Sequence, residues 1–195
     1  KDLGFTHEII PRHHSIKKPV FPFNKFPGAD VLLAPEMRST GEVMGIDTSY
    51  GRAVSKAQAG ASQALPRGGK VFVSVKNTDK ARVVPLCKRL VALGYEVVAT
   101  GGTAKTLEQA GIGVHRINKI QEGRPNVLDL IINNEVGLLI NTPSGKDLRS
   151  DEAQMRRRCV MKGIPTLTTL TAAEAAVKAL ESVQGAPEEE RALQD

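Results

Sequence analysis

From Lys70 onward, short apolar β-branched runs alternate with segments of helical period across connections of a few residues. Such alternation points to an α/β domain with a mainly parallel sheet. Val71-Phe72-Val73-Ser74-Val75 reads as a strand, and residues 79–93 follow with Val83, Val84, Cys87, Leu90 and Val91 at spacings of three and four, the stripe of a helix with one buried face. Pro85 falls in the early turns, where an interior proline costs about 3 kcal/mol, so this helix is expected to begin late. Gly94 closes it and 95–99 reads as the next strand. A helix over 103–110 stopped by Gly111, a strand over 114–117, a helix over 126–133 and a nearly wholly apolar strand over 136–141 come next. The last is what a sheet covered on both faces requires. Residues 150–163 read as an amphipathic helix, 166–168 as a brief strand, and Thr171 with Glu174 as the capping box of a final helix. The expected fold is a three-layer, Rossmann-like α/β domain.

Residues 1–65 have a different texture, rich in Pro, Lys and His, and include a proline-punctuated run at 21–28 that suits an edge strand and turns. An alanine-rich helix is expected over 49–65, ending before Pro66 and the Gly68-Gly69 pair. The boundary is set there, giving segments 1–65 and 66–186 and a flexible tail over 187–195. The chain opens at Lys1 without a methionine and reads as a piece of something longer. It has no secretory-signal pattern and no apolar run near the roughly 20 residues that span a bilayer, so a cytoplasmic setting without membrane contact is expected. Cys87 and Cys159 have no CxxC partner and read as buried, reduced thiols, with neither a metal site nor a disulfide implied. The formal charge of +6 attracts phosphates, yet aromatics are 4% with no tryptophan, which poorly supplies a stacking platform for nucleic acid. A small anionic ligand fits better.

Chemistry concentrates in Ala99-Thr100-Gly101-Gly102-Thr103-Ala104-Lys105, at the passage from strand to helix. Gly101 and Gly102 let backbone approach a ligand closely, Thr100 and Thr103 offer hydroxyls, and the helix start offers free amides and positive potential, a cradle suited to a phosphate monoester. A tight turn with a threonine cap would carry the same residues. The segment is neither a Walker loop nor a dinucleotide fingerprint. Lys80, Lys119 and Asn141 lie just after or at the ends of three other strands, and a parallel sheet would bring all three to the same edge. Arg156-Arg157-Arg158 reads as a solvated or intersubunit face, and Glu36, Arg38 and Glu42 as structural charges.

The runs PFNKFPGADVLLAPEMRSTGEVMG, VFVSVKNTDKARVV, ATGGTAKTLEQAGI, NKIQEGRPNVLDLI and INTPSG together resemble the C-terminal end of the carbamoyl-phosphate synthase large-chain family, over nearly all of residues 7–183. The resemblance implies that 1–65 is the tail of the second ATP-grasp domain, which phosphorylates carbamate, and that 66–186 is a methylglyoxal-synthase-like allosteric domain binding UMP or, in some members, IMP. It places phosphate and sugar contacts on Lys80, Thr100, Thr103, Lys119 and Asn141. It further implies a parent ligase that uses ATP with Mg or Mn and assembles with a glutaminase small chain and other large chains; this segment alone is expected to hold no catalytic residue and no cofactor. Two departures stand out. Pro143 follows Thr142 where many members carry a second threonine, and Lys18 stands where an ornithine site carries an acidic residue, although Thr168 of that site is retained. Weak or absent ornithine activation is expected. Methylglyoxal synthase itself needs an aspartate in a Gly-Gly-Asp-Gln context, and the nearest carboxylate, Asp129, reads as mid-helix.

Overall fold

The computed structural model describes residues 4, 6–8, 10–22, 31–32, 40–144 and 150–184. The expectations for residues 23–30, Glu36, Arg38 and the tail 187–195 lie outside the described residues. Five strands, β3 (Lys70–Val75), β4 (Glu96–Thr100), β5 (Val114–Ile117), β6 (Val136–Thr142) and β7 (Thr166–Leu167), form one sheet in the order β5-β4-β3-β6-β7, every pair parallel. The chain runs outward from β3 through β4 to β5, then returns to β3's other side with β6. Connections leaving the carboxyl ends of these strands therefore diverge there, the place where open α/β sheets form ligand crevices.

Strand period sends Val71, Val73 and Val75 to one face and Phe72 to the other. The first face packs under α2 (Lys80–Ala92), α3 (Gly101–Gln109) and α6 (Leu170–Val183), with Leu90, Leu107 and Leu180 in a single core. The second face packs under α4 (Val127–Ile132) and α5 (Asp151–Met161), with Ile131, Met155 and Cys159 around Phe72 and Leu139. The three-layer expectation holds.

Several element ends differ from expectation, each for a local reason. The helix after β3 does not begin late: a 3-10 turn over Asn77–Asp79 leads into it and Pro85 lies inside α2. Pro85 is exposed, as is Ala81, whose carbonyl the missing N–H would have served, so water can take the unpaired group. The buried stripe of α2 uses Leu86, and Val91 is 41% exposed. Helix α3 starts at Gly101, so the glycine pair belongs to its first turn. Thr169, not Thr171, caps α6, its Oγ1 accepting from the Ala172 amide at 3.1 Å. Thr171 is already helical, and Glu174 instead pairs with Lys178 at 3.4 Å.

A separate antiparallel pair, β1 (His14–Val20) and β2 (Gly41–Asp47), packs on α1 (Tyr50–Gly60), and α1 packs on α6. Helix α1 ends at Gly60 rather than near 65 because Ser62 turns left-handed at φ 56°. Asp47 anchors its start, accepting the Ser49 amide at 2.9 Å and pairing with Lys56 at 2.9 Å. Glu42 pairs with Lys17 across the hairpin at 2.8 Å. Close approach sets these contacts: a Cβ on Gly45 would overlap the Ala53 carbonyl, and one on Gly51 would overlap the Ser182 hydroxyl. No helix among the described residues is long and apolar enough to cross a membrane.

Candidate functional site

The carboxyl edge of the sheet gathers most of the residues singled out above. Thr100, the last residue of β4, is the N-cap of α3 at φ −107° and ψ 154°, and its side chain makes no capping bond. Thr100 also lines a cavity of about 590 Å³. Gly101 has φ +44°, in the left-handed region where a glycine avoids strain, and stands in the first turn of α3, whose opening amides have no intrahelical partner. Two lysines arrive from neighbouring connections. A Cβ added to Gly101 would lie 3.2 Å from Lys119 Cε, and a Cβ added to Gly102 would collide with the Lys80 ammonium. Both cations thus lean over the same turn. Lys119 is shared with Glu122 at 3.6 Å, an exposed pair whose carboxylate is held below its ordinary range chiefly by the Lys119 backbone amide, at 2.9 Å.

The two threonines deeper in this edge act through their acceptor sides. Thr103, 4% exposed, accepts the Val75 amide at 3.3 Å, and Thr142, 2% exposed, accepts the Lys76 amide at 3.0 Å. Successive N–H groups at the end of β3, left without a strand partner, are satisfied by hydroxyls from α3 and β6. Each hydroxyl proton remains free to donate elsewhere.

Asn141 sits differently from the other predicted residues. It is fully buried, donates from Nδ2 to the Ser74 carbonyl at 2.9 Å, and accepts from Arg156 Nη1 at 2.8 Å. It clamps β6 to β3 and to α5, one layer behind the cavity.

Arg156 is the residue that reading the sequence missed. The solvated-face expectation for 156–158 fails at its first member, which is 1% exposed, while Arg158 is exposed. The signal was present: Met155, Arg156 and Cys159 share the helical stripe that α5 buries. Its guanidinium also lies 4.0 Å from Glu152, whose carboxylate accepts from the Ser144 amide at 3.1 Å and the Ser144 hydroxyl at 3.2 Å. Ser144 and Glu152 both line the cavity, so this network shapes part of its wall. Phe72, Val127 and Met155 add an apolar floor and Gln121 a polar rim. The cavity therefore joins an end lined by Thr100 and Lys119 to an apolar body, with the carboxylates Asp151 and Glu152 also on its wall.

Asp129 is not mid-helix but in the first turn of α4, bound by Arg124 Nε at 2.8 Å and by the Asn126 amide at 2.9 Å. The Arg124 guanidinium holds its carboxyl below the usual range. Burial pushes the Cys87 and Cys159 thiols up to about 12, which leaves them as apolar packing at neutral pH. Thr168 lies away from the threonine-glycine turn and lines a second cavity, of about 440 Å³, together with Lys18.

Residues 82–168 match the MGS-like domain family. Over its whole length the chain is 52% identical to the carbamoyl phosphate synthase large chain of Pseudomonas putida and 46% identical to that of Nostoc sp., covering 18% of each. A crystal structure of methylglyoxal synthase from Elizabethkingia anophelis NUHP1 aligns at 18% identity with a TM-score of 0.47, over 58% of this chain and 79% of that one. The chain spans about 18% of the length of the curated relatives it matches. It belongs to the carbamoyl phosphate synthase large-chain family, matching the C-terminal region, and carries an MGS-like domain.

Proposed function

We propose that this chain binds a nucleoside monophosphate, UMP or IMP, as an allosteric effector of a glutamine-dependent carbamoyl phosphate synthase that supplies pyrimidine and arginine biosynthesis. The observation that carries the reading is that Lys80 and Lys119 both reach the first turn of α3, while Thr100 and Lys119 line a cavity with an apolar floor. A phosphate dianion docks at the donor-rich end through charge-assisted hydrogen bonds, and the base lies against Phe72, Val127 and Met155. Thr103 and Thr142 support this cradle with their free hydroxyl protons, and Asn141 supports it from behind. Pro143 brings no hydroxyl, so ribose contacts fall to Ser144 and Gln121.

On this reading residues 1–65 are the tail of the ATP-grasp half and 66–186 the effector domain. Turnover, with ATP and Mg or Mn, belongs to residues outside this chain, which works in the cytoplasm with a glutaminase small chain and further large chains. Asp129 is engaged by Arg124 and the Asn126 amide, which disfavours a lyase role for its carboxylate. Lys18 beside Thr168 makes ornithine activation weak or absent, since a cationic ligand meets a like charge.

Calorimetric titration and thermal melting of the full chain with UMP, IMP and inorganic phosphate test the assignment. At a hundredfold excess over Kd, the nucleotide should stabilise by about 2.7 kcal/mol, or roughly 5 to 10 °C in Tm. The double variant Thr100→Ala with Lys119→Ala should lose that shift while melting cooperatively. A wild-type chain that ignores both nucleotides at millimolar concentration would refute the reading.

A further inference from the structure

Arg156 is 1% exposed and sits in the buried stripe of α5 beside Ala153, Met155 and Cys159. A hydrocarbon of similar volume often stabilises such a place as well as a buried ion does, so packing alone does not account for a guanidinium there. What it touches lies at the edge of the effector cavity. Its Nη1 donates to Asn141 Oδ1 at 2.8 Å, which turns the amide so that Nδ2 donates to the Ser74 carbonyl at 2.9 Å, and Ser74 lines the cavity. One helical turn back, Glu152 Oε2 lies 4.0 Å from the same nitrogen. Both Glu152 oxygens are engaged by Ser144, one accepting its amide at 3.1 Å and the other its hydroxyl at 3.2 Å. With amide and hydroxyl proton so occupied, Ser144 has only lone pairs left to offer a ligand. The Glu152 and Asp151 carboxylates on the same wall are, when ionised, acceptors only. A wall of acceptors suits the part of a ligand that carries hydrogen-bond donors.

We propose that Arg156 is a positioning residue for sugar recognition: it holds Asn141 and Glu152, Glu152 holds Ser144, and the acceptor wall so formed receives the ribose hydroxyls of a bound nucleotide. A ribonucleotide is therefore preferred over its 2′-deoxy counterpart. The inference rests on the nucleotide reading. At 1% exposure Arg156 acts through these neighbours and not on the ligand itself.

UMP and dUMP share phosphate and differ at the sugar by one hydroxyl, so calorimetric titration of the full chain with each reads the sugar contact directly. The wild type should bind UMP about tenfold more tightly than dUMP. Arg156→Met, which fills the space and removes the charge, should bring UMP down to the dUMP affinity and leave dUMP unchanged, since Thr100, Lys80 and Lys119 are untouched. Arg156→Lys should restore most of the preference. Glu152→Gln keeps the guanidinium and should narrow the ratio in the same way, which decides the matter if Arg156→Met does not melt cooperatively. In the ligand-free chain, the Ser144 amide proton, deshielded by its carboxylate acceptor, should move upfield in Arg156→Met and stay in place in Lys119→Ala. Equal wild-type affinities for UMP and dUMP, an Arg156→Met chain weakened equally for both, or an unmoved Ser144 resonance would overturn the role of Arg156 and leave the nucleotide reading standing. A wild type that binds neither nucleotide would overturn both.

Discussion

At Gly102 one missing carbon decides whether Lys80 can reach the head of α3, because the volume a Cβ would fill is held by the lysine ammonium. The lysine end is flexible, so Gly102→Ala should displace it at little cost to folding, within about 0.5 kcal/mol. Effector affinity, however, should fall by about one charge-assisted contact, roughly tenfold. In a double-mutant cycle, Lys80→Ala should add little once Gly102→Ala is in place; full additivity by calorimetry would show that the two residues do not meet. The glycine pair and each lysine were legible in the sequence as residue types. A parallel sheet was expected to bring the lysines to the edge of this turn; the close contact of Lys80 with Gly102 was not legible, since the two belong to different crossovers and no local period links them. Asn141 teaches the converse: its place at a strand end was legible, but Arg156 and the Ser74 carbonyl turn its amide into a clamp.

Among the elements, helix ends separate what sequence conveys from what packing imposes. Five helices end with the same reach-back, an amide bonding a carbonyl five residues earlier: Gln63 to Gln58, Tyr95 to Leu90, Ile112 to Leu107, Glu135 to Leu130 and Ile164 to Cys159. Three of them place a glycine at the left-handed residue, at 94, 111 and 163, and those stops could be read in advance. The other two use Ser62 and Asn134, whose left-handed backbone carries a steric cost that surrounding contacts must offset. Hence the overlong expectation for α1. The start of α6 went astray for a related reason, because Thr171 and Glu174 have capping-box spacing while the buried stripe already begins at Leu170. Thr169→Ala should therefore cost about 0.5–2 kcal/mol in denaturant unfolding. Thr171→Ala should stay within about 0.5 kcal/mol, and the reverse order would return the cap to Thr171.

Across the whole molecule, the turn at the head of α3 and the β1–β2 pair are joined by packed elements. Lys80 opens α2, Arg89 of α2 grips Glu181 of α6 at 2.7 and 2.6 Å, and α6 meets α1 at Gly51. An effector that orders Lys80 can bias this stack, and couplings of this kind are typically about 1–3 kcal/mol. Gly51→Ala tests the joint, because the added methyl meets the Lys178 carbonyl as well as the Ser182 hydroxyl. It should cost about 1–3 kcal/mol and speed amide exchange in 50–60, leaving β3, β4 and β6 protected. Unchanged exchange in α1 would show that its seat on α6 tolerates a side chain there.

The sequence by itself determined the alternation of strand and helix, the parallel sheet, and a glycine turn between threonines at the mouth of α3. These follow from the period of side chains along one stretch of backbone, which depends only on neighbours in the chain. Tertiary structure alone decided the order β5-β4-β3-β6-β7, and with it which strand ends adjoin. That order sets Thr100, Lys80 and Lys119 around one turn and buries Arg156 behind them. Pairing between segments far apart in the chain is governed by how whole faces bury one another, a property no single stretch of residues carries.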